Sequence, residues 1–209
     1  MQLKKILAER RAVNFFDPEK PVNNEDLKKI IETASLAPSG FNLQPWQLLV
    51  VKSPAEKNRL KAVAWNQPKI TEAPVVLILL ADRNGWKPGH PVLEKTWQNM
   101  LDLGYIKTEQ RGWFEGGTKS IYEGEEKSLA FAVKNAALFS MALMLAAKDA
   151  GLDSHPMDGF DHEGVRKAFN IPDNYYVPML IAIGHFNKKQ KMMPPKWRKS
   201  YEEIVLKTY

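Results

Sequence analysis

Residues 129–147 read LAFAVKNAALFSMALMLAA, and the fold follows from how this stretch is buried. Sixteen of its nineteen residues are apolar; only Lys134, Asn135 and Ser140 interrupt. Ala, Leu and Met are strong helix formers, so the stretch predicts a helix. A surface helix carries one apolar stripe, whereas this one is apolar on nearly every side and needs cover all round. Gly151, just past Lys148 and Asp149, is the expected stop. A membrane span would need about 20 apolar residues. Lys134 near a bilayer centre would cost roughly 2.5–3.5 kcal/mol. Burial in a globular core, or in a core plus a subunit interface, is the reading that fits.

Working outward, the spacing of Leu3, Ile6 and Leu7 predicts a short helix over 2–11. Leu27, Ile30, Ile31 and Ala34 share one face of a second helix, capped by Asn23 or Asn24 and stopped before Pro38. WQLLVV (46–51) reads as a buried strand. Ser53-Pro54-Ala55-Glu56 has the form of a capping box, predicting a helix to about Trp65. PVVLILLA (74–81) is a continuous apolar run of strand length, a central strand. LDSHPMDGF (152–160) reads as a turn marked by Pro156 and Gly159, and VPMLIAIG (177–184) as a last strand. Residues 86–124, with several Gly and only a weak helix near 92–102, look like an excursion, and 186–209 like a C-terminal extension. No repeat or long linker divides residues 1–209, so a single domain is expected, an α/β or α+β sandwich with a mixed sheet.

Composition excludes some chemistry and leaves the rest open. The chain has no cysteine, which removes disulfides, thiolate metal sites and a cysteine nucleophile together. The N-terminal stretch lacks the apolar run of a signal peptide, so a cytoplasmic location is expected and no membrane partner. A net charge of +6 favours anions without naming one. No phosphate-loop, dinucleotide or hydrolase motif is present. Arg10 and Arg11 either complement a helix dipole or capture an anion, for which guanidinium suits phosphate. Ser39, Asn42 and Gln44 offer donors and acceptors to a planar ligand, or merely serve a turn; Trp46 beside them reads as core. His155, Asp158, Asp161 and His162 include metal-ligand types, but Asp161 is more simply a helix cap, and no metal is expected. Lys188, Lys189, Lys191, Lys196, Arg198 and Lys199 form a basic run: a solvated tail, a fixed anion-binding arm held by Pro194 and Pro195, or a nucleic-acid surface.

Five stretches in this order and spacing resemble the FMN-dependent nitroreductase family. They are Arg10-Arg11-Ala12-Val13-Asn14-Phe15-Phe16; Ala37-Pro38-Ser39-Gly40-Phe41-Asn42-Leu43-Gln44-Pro45-Trp46; Asn66-Gln67 ahead of Lys69; Pro156-Met157-Asp158-Gly159-Phe160; and Pro195-Lys196-Trp197-Arg198. The resemblance covers nearly the whole chain and implies a three-layer α/β/α sandwich with a mixed, mainly antiparallel sheet. It also implies an interlocked homodimer with two FMN sites at the interface, which would give the overlong apolar helix its second partner.

By the same resemblance Arg10, Lys196 and Arg198 grip the FMN phosphate, with Arg11, Ala12 and Asn14 beside them. Pro38, Ser39, Gly40, Asn42 and Gln44 come from the other subunit to meet the flavin. Asn66 and Lys69 lie along its pyrimidine edge, where positive charge stabilises the reduced anion. Pro156, Met157, Asp158 and Gly159 present backbone N–H to N5, and no side chain is assigned a catalytic role. Trp113, Phe114 and Tyr122 are the expected substrate lid. The implied activity is hydride transfer from NAD(P)H through FMN to nitroaromatics, quinones or similar small oxidants in a ping-pong cycle. Reductive dehalogenation and enone reduction are the alternatives within the fold; a non-catalytic flavoprotein or a nucleic-acid binder lies outside it. The chain departs from the family at three positions. Ala12 stands where Ser is usual, Asn14 where Arg or Lys is usual, and Gly40 where Ser is frequent.

Overall fold

The computed structural model describes residues 3–209. Four strands form one sheet in the order β1-β2-β4-β3: β1 (Trp46–Val51), β2 (Val75–Asp82), β3 (Asp153–Met157) and β4 (Tyr175–Gly184). All three ladders are antiparallel, and the single parallel pairing among the described residues is an isolated bridge between Ala12 and Ser154. β2 is buried along its whole length, as its unbroken apolar run requires.

The two faces of the sheet carry separate cores. Val75, Leu77, Leu79, Ala81, Ile181 and Ile183 pack on one side against the helices α2 (Asn24–Ala34), α5 (Pro91–Asp102), α6 (Arg111–Tyr122) and α7 (Glu125–Asp149). The alternate residues, Val76, Ile78, Leu80, Leu180 and Ala182, pack on the other side with α3 (Pro54–Ala62), α4 (Lys69–Glu72) and α8 (His162–Ala168). Period-two alternation thus feeds both layers of an α/β/α sandwich. The short helices α1 (Leu3–Glu9) and α9 (Tyr201–Ile204) stand near the ends.

The long helix runs 25 residues and ends in a Schellman turn: Gly151 (φ 77°) donates to Lys148 and Leu152 to Ala147. Its sheet side is buried, and a stripe containing Leu138 and Met141 stays exposed. Asn23 caps α2 and Ser53 caps α3, each accepting from the third residue on. α3 ends at Ala62, short of the expected Trp65, because Trp65 and Asn66 turn left-handed (φ 51° and 54°).

Two regions differ from the sequence reading. Asp153–Met157 is a strand, with Pro156 in it, and the turn comes only after it. The strand is short and lies at the sheet edge, where a missing N–H is tolerated. Residues 86–124 hold two 12-residue helices, and their Trp97, Phe114 and Tyr122, together with Trp86 ahead of them, are buried in the first core. Tertiary burial there outweighs the poor helix propensity of Gly112, Gly116 and Gly117.

Candidate functional site

The expected site residues fall into two groups. The first lies along the outer edge of β3. Residues 11–17 run beside it: Val13 N–H donates to the Ser154 carbonyl at 3.2 Å, and Phe16 pairs with Phe186. Buried Val13 and Phe16 anchor the arm and leave Ala12 and Asn14 exposed. Arg11 Nη2 donates to the carbonyls of Met193 (3.0 Å) and Pro194 (2.5 Å), which fixes the path of the basic C-terminal arm. Arg10 consequently faces Arg198 and Arg11. Burial, and then those two guanidinium groups, push its pKa down. No acid pairs with Arg10, Lys196 or Arg198 among the described residues, and Arg198 and Arg11 stand close enough to repel Arg10.

His155 joins this group. Its Nδ1 lies 2.7 Å from the Val13 carbonyl. A carbonyl can only accept, so Nδ1 carries the proton. Burial, Lys69 and Lys196 hold the imidazole below its ordinary 6.5, against the opposing hydrogen bond to Val13, leaving it neutral at pH 7. Lys69 is likewise lowered by burial, with Glu72 opposing. Its ammonium donates to Gln67 Oε1 at 3.1 Å, and Gln67 Nε2 donates to the Gly159 carbonyl at 2.7 Å.

Gly159 is pressed under Trp65. A Cβ there would lie 2.8 Å from Trp65 Cε3 and 3.3 Å from Gln67 Nε2, so only glycine fits without displacement. Met157 points inward and Asp158 outward, so of these two only Met157 is confined to backbone contacts. His155 and His162 bind separate carbonyls, of Val13 and Val177, and no group of three His, Asp or Glu gathers among the described residues.

The second group is the 39–44 loop, which leads into β1. It is wound tightly: Phe41, Asn42 and Gln44 all have positive φ (53°, 54° and 42°). Non-glycine residues in that region cost on the order of 1 kcal/mol or more each. The loop is held by Gln44 N–H donating to Ser39 Oγ (2.9 Å), and by Thr96 Oγ1 donating to the Asn42 carbonyl (3.3 Å). From below, Asn135 Oδ1 accepts the Gly40 N–H at 3.0 Å while its Nδ2 donates to the Phe131 carbonyl. Asn135 is 1% exposed, a polar interruption of the apolar helix whose role sequence reading missed. Trp46 stacks on Phe139 at 5.1 Å and belongs to the core. Beside the loop lies a cavity of about 440 Å³ lined by Asn42, Gln44, Trp46, Val92, Lys95, Thr96 and Asn99. Of the expected lid residues, Trp113 is exposed while Phe114 and Tyr122 are buried.

β1 and β3 are the two edges of the sheet. Three strand spacings of about 4.8 Å separate them by roughly 14 Å.

Against this geometry, the family model described as Nitroreductase matches residues 7–185. The chain belongs to the nitroreductase family. Among nitroreductase relatives, MhqN of Bacillus subtilis, named as an NAD(P)H nitroreductase, is 34% identical over 202 residues, covering 96% of both chains. The solved nitroreductase ydfN of Bacillus subtilis superposes with a TM-score of 0.90 at 33% identity, covering 98% of each chain. A nitroreductase of Exiguobacterium sibiricum, solved in complex with FMN, superposes at 0.83 with 26% identity, covering 98% of this chain and 96% of that one. The matched region spans the 39–44 loop and the 156–159 turn; Lys196 and Arg198 lie beyond it, in the arm that Arg11 fixes.

Proposed function

We propose that this nitroreductase-family protein is an FMN-dependent NAD(P)H oxidoreductase, acting as a homodimer in which each site takes its β3-edge group from one subunit and its 39–44 loop from the other. The observation that carries the reading is the approach of Arg198 and Arg11 to Arg10, with Lys196 and Lys69 near His155 and no acid paired with Arg10, Lys196 or Arg198 among the described residues. A phosphate dianion offers what such a cluster lacks. Lys69, desolvated and linked through Gln67 to Gly159, suits an electron-rich ring edge. The donor set therefore fits FMN.

The separation of the two groups across the sheet supports the homodimer, since one chain does not bring them together. The exposed Leu138 and Met141 stripe on the long helix offers an apolar surface for the second copy.

When bound, FMN would supply the hydride chemistry of a ping-pong cycle between NAD(P)H and a nitroaromatic, quinone or similar small oxidant. The chain's own residues bind and orient. Arg10, Lys196 and Arg198 neutralise the phosphate. Lys69 places positive charge where negative charge develops on reduction. Gly159 lets the backbone approach closely, and Asn14 contributes no charge where the family usually has a cation. The 39–44 loop, already wound and hydrogen-bonded, needs no reordering to receive a planar ligand.

The test is a visible spectrum of the purified protein before and after anaerobic NADH or NADPH. A flavin spectrum that bleaches with either donor is the expected result. A colourless protein that FMN does not reconstitute would overturn the reading.

A further inference from the structure

Gly40 opens the short turn Gly40–Asn42, and its backbone has no need of glycine: its φ is not among the positive ones. What it needs is space. A Cβ built on Gly40 would lie 2.4 Å from the hydroxyl oxygen of Tyr122, far inside contact distance, yet 3.5 Å from the ring carbon Cζ, an ordinary contact. The hydroxyl alone occupies the place of a side chain at position 40.

Tyr122 is the last residue of α6, and its ring is fixed by Phe131 at 4.3 Å and by Phe41 edge-on at 6.1 Å. The residue is 6% exposed, its hydroxyl has no hydrogen-bond partner among the described residues, and the hydroxyl oxygen itself is not fully enclosed by protein. Tyrosine hydroxyls in such surroundings usually find one. The Gly40 N–H beside it is already engaged, held by Asn135. Burial raises the phenol's pKa above its ordinary 10.0, so it keeps its proton and its capacity to donate.

We propose that Tyr122 is a flavin-binding residue: through the gap left by Gly40 it supplies the hydroxyl donor with which the 39–44 loop meets an acceptor atom of the bound flavin. The inference rests on the flavoprotein reading above. The loop thereby receives its donor from α6, 82 positions further along the chain, and any shift of that helix moves the donor with it.

Apo-protein titrated with FMN, followed by flavin fluorescence and by the visible spectrum of the bound form, tests this with Tyr122→Phe, Gly40→Ser and the double variant. Loss of one neutral hydrogen bond corresponds to about a 3- to 10-fold weaker Kd for Tyr122→Phe. Its spectrum should shift, while thermal stability stays level because the lost hydroxyl bonded nothing in the protein. Gly40→Ser alone forces its Cβ against the phenol and should weaken binding at least as much. In the double variant the ring leaves a 3.5 Å contact and the introduced serine brings a hydroxyl back, so the Kd should return to within about 2-fold of wild type. A Tyr122→Phe protein with unchanged Kd and spectrum overturns the inference alone, because it leaves the hydroxyl as mere packing. So does a double variant that binds no better than Gly40→Ser. Wild-type protein that binds no FMN overturns the flavoprotein reading and this inference together.

Discussion

The β3-edge group and the 39–44 loop are built by opposite means. The first is an assembly of cations on extended arms, held by a few backbone contacts such as Arg11 to Met193 and Pro194. Its specificity lies in like charges forced together. The second contains almost no charge; it is a strained turn pinned from below by buried Asn135 and from the side by Thr96 and Tyr122. In the proposed function one half recognises by potential, the other by fixed position. Potential is long-ranged and screened by salt, whereas fixed donors are short-ranged and indifferent to it.

The sharpest way to break this contrast is Arg198→Glu. Replacing a charge-assisted contact by a repulsive one should weaken FMN binding at least about 100-fold. The loss measured by equilibrium dialysis should shrink as salt rises. A variant that retains FMN like wild type would remove the phosphate role from the basic arm.

The loop answers to a different change. Asn135→Leu leaves the half-buried Gly40 N–H without its partner, which costs about 1 kcal/mol. Urea unfolding should register that loss, and its size should not depend on salt. If stability is unchanged, the loop is held by something other than Asn135.

A smaller effect is expected from Gly159→Ala. The new Cβ meets the Trp65 ring, but Trp65 is 73% exposed and free to swing outward. Stability should fall by no more than about 1 kcal/mol. The tryptophan emission should shift, and Trp65→Ala in the same chain should relieve the strain.

The smallest effect separates the halves by pH. His155 is held below its ordinary 6.5 in the folded chain, chiefly by burial and then by Lys69 and Lys196. As pH falls below that value the unfolded chain takes up the proton first, so stability declines through this interval and is intact above it. His155→Gln should flatten the acid limb of a stability-against-pH curve. The 39–44 loop and its supports Asn135, Thr96 and Tyr122 contain no group that titrates there, so Asn135→Leu should shift the curve without changing its slope.

The two halves were also unequally legible in the sequence. Clustered Arg and Lys around Pro194 and Pro195 are visible as a basic run, which by itself leaves a solvated tail, an anion-binding arm and a nucleic-acid surface open, and β1, β2, β4 and the long helix follow from apolar runs and periodicity. The β3 edge was obscured by Pro156 inside a five-residue strand, which local rules read as a turn. Of the loop, the turn-forming residues were visible but their supports were not. Asn135 and Tyr122 lie 95 and 82 positions from Gly40. Nothing in a local pattern links a buried amide or a phenol to a turn so far away. The aromatics of α5 and α6 were misplaced for a related reason: three glycines in α6 signal an excursion, and only the packing of Phe114 and Tyr122 shows a helix tied to the core.

The bond from Arg11 to the Pro194 carbonyl joins residues 183 positions apart. During synthesis at about 5–20 residues per second, the N-terminal arm therefore waits roughly 10–40 s for its partner to be made. Residues 39–44 meet Asn135 after about half that interval, and the cationic edge closes later. A chain that stopped short of Pro194 would carry a finished loop and an N-terminal arm held at Val13 and Phe16 but with Arg11 and Arg10 not yet faced by the basic segment.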